Sequence, residues 1–266
     1  MTHNTVVITG ASAGIGAIYA DRLARRGHDL ILVARNGERL EATAETLRRD
    51  TGRTVETIVA DLGQRDDLAR IERLLRERSD IVTLVNNAGV GAVAPLLASD
   101  VEAMAAMIDL NVTALTRLTY AAVPAFVARG GGTIVNISSA VAISPETLNG
   151  VYGASKAFVL ALTQSLQHEL ADKGIRVQAV QPGATATDFW NHAGLPHENL
   201  PREIVMDAAD MVDAALVGLD RGEVVTIPAL RDAADWQRYD ELRRDLSTRL
   251  SQDQAAPRYA DSLATA

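Results

Sequence analysis

Seven short runs rich in β-branched residues alternate with longer amphipathic stretches, and this alternation restricts the fold more than any other property of the chain. The runs at 5–9, 29–34, 54–60, 81–85, 133–138, 175–180 and 223–227 have the length and composition of strands. Between them, 14–27, 37–50, 64–78, 100–129 and 151–173 carry helical periodicity, and Gly27, Gly52 and Gly174 stand where a left-handed residue ends a helix. Strands separated by helices pair in parallel through crossovers. The expected fold is α/β, a doubly wound parallel seven-stranded sheet with helices on both faces. No repeat or linker divides residues 1–266, so a single domain is expected. It includes a loop at about 189–201, renewed helical pattern at 205–219 and a charged, helix-prone tail over about 229–266 that frays beyond Ser251.

Composition agrees with this architecture and excludes several functions. Apolar residues make up 47% of the chain and aromatics only 4%, which suits a helix-covered parallel sheet better than a sandwich of aromatic-rich strands. Against 26 basic residues stand 34 acidic ones, a formal charge of −8, so nucleic acid and anionic membranes have no general electrostatic reason to bind. The absence of cysteine excludes disulfides and thiolate metal sites. The five histidines contain no H-E-x-x-H pattern, and no metal is expected. The first residues lack the pattern of a signal peptide. The apolar stretch 121–128 contains Pro124 and falls short of the roughly 20 residues a bilayer requires, so the expected location is cytoplasmic.

The first strand runs into Thr9-Gly10-Ala11-Ser12-Ala13-Gly14-Ile15-Gly16 and then a helix. In such a unit glycines let the backbone turn tightly and approach a pyrophosphate, while the helix N-terminus presents free N–H groups, as in the dinucleotide turn of a Rossmann fold; a tight structural turn is the plain alternative. Gly10, Ser12, Gly14, Ile15 and Gly16 are therefore candidate cofactor contacts. The same residues also match the G-x-S-x-G elbow of serine hydrolases, with Ser12 as nucleophile. That elbow takes part of its oxyanion hole from a loop of an earlier strand, and here no earlier strand exists.

An acidic residue ending the second strand would bind a ribose 2′-hydroxyl and select NAD. Ala34, Arg35 and Asn36 occupy that place. Arg35 can pair with a 2′-phosphate, which points to NADP, with NAD still possible and a solvated helix start as the plain alternative. Asp61 ends the third strand, where it could meet an adenine edge, and Asn86-Asn87-Ala88-Gly89 ends the fourth, where side-chain amides can line the same crevice.

Tyr152 and Lys156 are four residues apart, which puts both on one helix face about 5–6 Å apart. A neighbouring ammonium favours the phenolate, so a lowered phenol pKa is expected. Ser139, at the carboxyl end of the fifth strand, can hold a substrate oxygen beside the phenol.

In this order the motifs resemble the short-chain dehydrogenase/reductase family, in its single-domain branch, from about residue 5 to residue 228. The residues that carry the resemblance are Thr9-Gly10-x-x-x-Gly14-x-Gly16, Asp61, Asn86-Asn87-Ala88-Gly89, Asn111, Ser139, Tyr152-x-x-x-Lys156, Pro182-Gly183 and Thr187. The resemblance implies that Tyr152 exchanges a proton with the substrate oxygen as hydride moves to or from a nicotinamide. It implies that Lys156 holds the nicotinamide ribose and Ser139 orients the substrate. Asn111 would sit at a helix irregularity and hold a water on the proton path, and Pro182, Gly183 and Thr187 would meet the nicotinamide end. Ala114 and Ala142 stand where the family commonly has glycine, and no basic residue precedes Gly14, which leaves the NADP expectation on Arg35 alone. The implied partners are a small carbonyl or alcohol substrate and further copies of the chain, as a homodimer or homotetramer through helices 100–129 and 151–173. A cofactor-binding sensor without turnover is the other reading the fold allows.

Overall fold

The structure is a computed structural model and describes residues 4–259. The chain divides into two compact units, Met1–Ala229 and Leu230–Ala266.

In the first unit the strands are β1 Thr5–Thr9, β2 Asp29–Ala34, β3 Val55–Val59, β4 Ile81–Asn86, β5 Gly132–Ile137, β6 Ile175–Val180 and β7 Val225–Thr226. All pairings are parallel, in the order β3-β2-β1-β4-β5-β6-β7. The helices are α1 Gly14–Arg25, α2 Gly37–Thr51, α3 Arg65–Glu77, α4 Val101–Ile108, α5 Leu115–Ala128, α6 Gly150–Leu170, α7 Phe189–Ala193 and α8 Ala208–Asp220. Successive strand residues face opposite sides. Val6, Ile8, Leu30 and Leu32 join one core with residues of α1, α2 and α8, while Val7, Ile31 and Val33 join another with residues of α3, α5 and α6. Each such aliphatic side chain contributes roughly 1.5–3 kcal/mol by leaving water. Central strands therefore read as continuous apolar runs. The strand order reverses between β1 and β4, and at such a point the loops leaving the carboxyl ends part and open a crevice.

Beyond shifts of one to three residues at element ends, four segments differ from the sequence expectation. Residues 100–129, one helical pattern in sequence, form α4 and α5 joined by a π-helical stretch, Asp109–Ala114, around the Asn111 at which the resemblance implies a helix irregularity. The expected strand 223–227 shortens to Val225–Thr226; it is the sheet edge, and Pro228 just beyond has no N–H to extend the ladder. The expected loop 189–201 begins with α7 and continues through a 3₁₀ turn, His197–Asn199. The helix expected to reach 173 ends at Leu170 and tightens into a 3₁₀ turn, Ala171–Lys173, before Gly174 at φ 70°.

The second unit carries α9, Ala233–Ser247, whose N-terminus is capped by the Asp232 carboxylate accepting the Ala234 N–H at 2.9 Å. Among the described residues no helix is long and apolar enough to cross a membrane, and no group of three or more acidic or histidine side chains is placed to hold a metal ion. The segment expected to fray lies partly outside the described residues.

Candidate active site

The turn after β1 is built on contacts that only glycine permits. Gly10 adopts φ 67° and Gly14 φ 53°. A Cβ at Gly10 would stand 2.7 Å from Asn87 Nδ2 and 2.9 Å from Ala88 Cα. Asn87 uses that closeness, donating through Nδ2 to the carbonyls of Thr9 at 2.8 Å and Gly10 at 3.1 Å. The Thr9 hydroxyl in turn accepts the N–H groups of Asn87 and Ala88, both at 3.0 Å. The carboxyl ends of β1 and β4 are thus laced together.

Helix α1 begins at this turn with Ala13 as its N-cap and no side-chain cap, so its first N–H groups are unspent and carry the partial positive charge of a helix start. Gly10, Ser12, Gly14 and Ile15 line a cleft of about 920 Å³. Gly16 does not line it: its Cβ would fall 2.3 Å from the Gly10 carbonyl oxygen and 2.5 Å from Asn87 Nδ2, so this glycine lets α1 pack against the turn.

One end of the cleft is basic. Arg35, Asn36 and Arg39 line it together. Asn36 caps α2 by accepting the Arg39 N–H at 2.9 Å. The Arg39 guanidinium pairs with Asp188 at 2.9 Å, both groups being about half exposed. Arg39 escaped sequence reasoning because an arginine one turn into a helix reads as solvated surface. Asp61 lies outside this cleft. It lines a pocket of about 80 Å³ that shares Arg35, Ala88 and Gly89 with it, and its carboxylate accepts the Gly63 N–H at 3.0 Å.

The other end carries the titratable groups. Asn149 starts α6, accepting the N–H groups of Val151 at 2.9 Å and Tyr152 at 3.2 Å, while its own amide donates to the Ala94 carbonyl at 2.6 Å. This residue, also missed from sequence, ties the first turn of α6 to the loop after β4. Tyr152 and Lys156 are 5% and 6% exposed, and both line the cleft with Ser139. The Lys156 ammonium donates to the Ile137 carbonyl at 3.0 Å and lies 5.9 Å from the centre of the Tyr152 ring. Burial lowers its pKa to about 8.

The expected lowering of the phenol pKa is not found. Burial raises Tyr152 to about 12, because removing a phenolate from water outweighs the opposing hydrogen bond with Ser139. Ser139 sits where β5 passes into a 3₁₀ turn, 3.4 Å from the Pro182 carbonyl. The adjacent Ser138 hydroxyl donates to the Lys156 carbonyl at 2.8 Å.

Gly89 approaches this group so closely that a Cβ would meet Asn111 Oδ1 at 3.0 Å and Lys156 Nζ at 3.5 Å. Asn111 lies in the π-helical stretch, and its amide is committed to Val90 and Ser155. Pro182, Gly183 and Thr187 line the cleft opposite the glycine turn, Thr187 close enough that a Cβ on Gly14 would meet its methyl at 3.2 Å. A Cβ at Gly183 would meet no atom within 4 Å, so that wall stands open to a flat ring. Asn86 turns inward: its amide donates to Thr119 at 3.1 Å and Asn136 at 2.9 Å, and Asn136 donates to Thr163 at 3.0 Å, a buried chain that joins β4 and β5 to α5 and α6.

Residues 4–196 match the family model described as short chain dehydrogenase. A short-chain dehydrogenase from Sphingobium yanoikuyae, solved in complex with NADPH, is 51% identical over 96% of this chain and 99% of its own, with a TM-score of 0.93. A bulky-bulky ketone specific alcohol dehydrogenase from Comamonas testosteroni is 46% identical over 97% of this chain and 99% of its own, with a TM-score of 0.90. A very-long-chain 3-oxoacyl-CoA reductase from Anas platyrhynchos is 38% identical over 68% of this chain, which spans 59% of the length of that relative.

Proposed function

The chain belongs to the short-chain dehydrogenase family, NAD(P)-dependent oxidoreductases acting on CH–OH groups, and on that premise we propose that it interconverts a ketone or aldehyde and an alcohol using NADP(H) and Tyr152 as general acid and base. One observation carries the reading. Ser139, Tyr152 and Lys156 converge at one end of a cleft whose other walls are the glycine turn, the uncapped start of α1 and two arginines.

These residues fit a phosphorylated dinucleotide. The unspent N–H groups of α1 suit a pyrophosphate, Arg35 and Arg39 suit a 2′-phosphate, and open Gly183 suits the nicotinamide face. NADPH in the Sphingobium protein, at 51% identity, supports the same choice. When bound, the cofactor supplies or takes the hydride. Tyr152 gives its proton to the carbonyl oxygen in reduction, and with a pKa near 12 the phenol is a loaded acid at neutral pH. The reverse direction requires the phenolate and gains with rising pH. Lys156, with its pKa brought down to about 8, remains mainly protonated at pH 7 and sets a positive charge beside the ring. Ser139, hydrogen-bonded to the phenol, holds the substrate oxygen in line.

A binding protein without turnover would have no use for a Ser–Tyr–Lys group gathered in the cleft, and a Ser12 hydrolase is disfavoured because His192, which lines the same cleft, is hydrogen-bonded to the Asp188 carbonyl. We also read the protein as a cytoplasmic homodimer or homotetramer, with the exposed Val101, Ile108 and Tyr120 of α4 and α5 on the pairing surface. Tyr152→Phe tests the catalytic reading: NADPH binding, followed by fluorescence, stays within about twofold while turnover falls by roughly 10²–10⁴. Near-normal turnover in that variant refutes the role.

A further inference from the structure

Gly91 has no backbone reason to be glycine, since its φ lies outside the left-handed region. Its reason is a neighbour. A Cβ there would stand 2.2 Å from Phe189 Cζ, 2.9 Å from Cε2 and 3.2 Å from Cε1, so any side chain at 91 displaces the ring. The Phe189 ring also meets Tyr152, with centres 5.8 Å apart and planes inclined at 44°. Phe189 is therefore wedged between the loop after β4 and the proposed proton donor.

The wedge is fastened from behind. Trp190 meets Phe189 edge-on, with centres 5.8 Å apart at 90°. Trp190 is itself 8% exposed, and its indole N–H donates to the Thr185 carbonyl at 3.0 Å. The Val93 N–H donates to the Ala193 carbonyl at 3.2 Å, which joins the far end of α7 to the same loop that carries Gly91. Around Tyr152, Met107 and Val141 form a small apolar cluster on which Leu148 and Phe189 pack. Val141, Leu148 and Phe189 also face the cleft. The wall that Val141, Leu148 and Phe189 form beside the phenol is thus apolar and partly aromatic, while Ser144, Thr147 and His192 are polar residues lining the same cleft.

We infer that Phe189 is a specificity-determining residue, stacking on a flat unsaturated substituent of the carbonyl substrate, and that the preferred substrates are aryl ketones and the matching secondary alcohols. Gly91 is the positioning residue that keeps this ring in place. The inference rests on the proposed oxidoreductase reading and adds the substrate class to it. The bulky ketone specificity of the Comamonas dehydrogenase, 46% identical to this chain, is of the same broad kind but does not single out a flat substituent.

The test compares kcat/KM, with NADPH, for acetophenone and for 2-octanone. Phe189→Leu keeps apolar bulk so that α7 stays docked, but it removes the flat ring. The aryl-to-alkyl ratio of kcat/KM is expected to fall roughly 2- to 10-fold, mainly through KM, which is the worth of an aromatic pair beyond its area. Gly91→Ala moves the ratio in the same direction while the NADPH dissociation constant stays within about twofold, and Phe189→Tyr restores it. Equal effects on both ketones, or none, in Phe189→Leu overturn the specificity role while leaving the oxidoreductase reading in place. Failure of the wild-type protein to reduce either ketone, together with every other carbonyl compound tried, overturns both.

Discussion

Replacing Asn111 by alanine separates a structural clasp from a proton path. Asn111 is 1% exposed and holds Val90 by both its main-chain groups: Oδ1 accepts the Val90 N–H at 2.9 Å and Nδ2 donates to the Val90 carbonyl at 2.8 Å. The third bond, from Nδ2 to Ser155 Oγ at 3.1 Å, is the cheapest to lose, because Ser155 still donates to the Tyr152 carbonyl at 2.8 Å. Alanine leaves the two Val90 groups without these partners. A buried polar group left unpaired costs about 1–3 kcal/mol, and Val90 is only partly buried, so a loss of about 2–4 kcal/mol is expected. For a chain of this size that lowers the melting temperature by roughly 5–15 °C. Urea unfolding followed by circular dichroism reads the loss as a lower midpoint with an unchanged slope. Asn111→Asp keeps an acceptor for the Val90 N–H but sets a second oxygen against the Val90 carbonyl. That variant is destabilised at pH 7 and recovers as the carboxyl is protonated. A stability loss below about 1 kcal/mol for Asn111→Ala, accompanied by lost turnover, would refute the clasp and leave the proton path as the role of this residue.

The remaining expectations concern charge. Arg35→Asp and Arg39→Asp should each shift the ratio of kcat/KM for NADPH over NADH toward NADH by about tenfold or more, the worth of a charge-assisted hydrogen bond; a ratio unmoved in both variants removes the basis for NADP. Lys156 gives a stability signature with a definite sign. Its folded pKa, about 8, lies below that of an unfolded lysine, so between these values the unfolded chain binds more protons and stability rises with pH. Relative to Lys156→Met, wild-type stability should therefore gain on the order of 3 kcal/mol between pH 7 and pH 10, read from urea midpoints. A flat or falling difference would show that the ammonium is not buried as described. Measurements stop at pH 10 because the raised pKa of Tyr152 works in the opposite direction above that value.

Much of this molecule is legible in local sequence because its signals are local. Alternating runs placed β1, β2 and β6 at their observed limits: β1 and β2, buried on both faces, carry central apolar runs, while β6 keeps Ile175, Val177 and Val180 around the exposed Arg176 and the buried Gln178. The glycines of the first turn announce a backbone that bends sharply and comes close to a neighbour, and the spacing of Tyr152 and Lys156 puts both on one side of a helix. What the tertiary structure alone decided depends on partners distant along the chain. The resemblance implies a helix irregularity at Asn111, but only the folded chain brings this side chain, in the π-helical stretch at 109–114, to Val90, 21 residues away. The expected loop begins as α7 because Trp190 and Phe189 find anchors at Thr185 and against Tyr152. Arg39 belongs to the cleft only through the placement of α2 and its pairing with Asp188. The phenol pKa moved opposite to the expected direction for the same reason. Sequence spacing reveals a neighbouring charge, whereas the cost of removing both groups from water is set by everything packed around them.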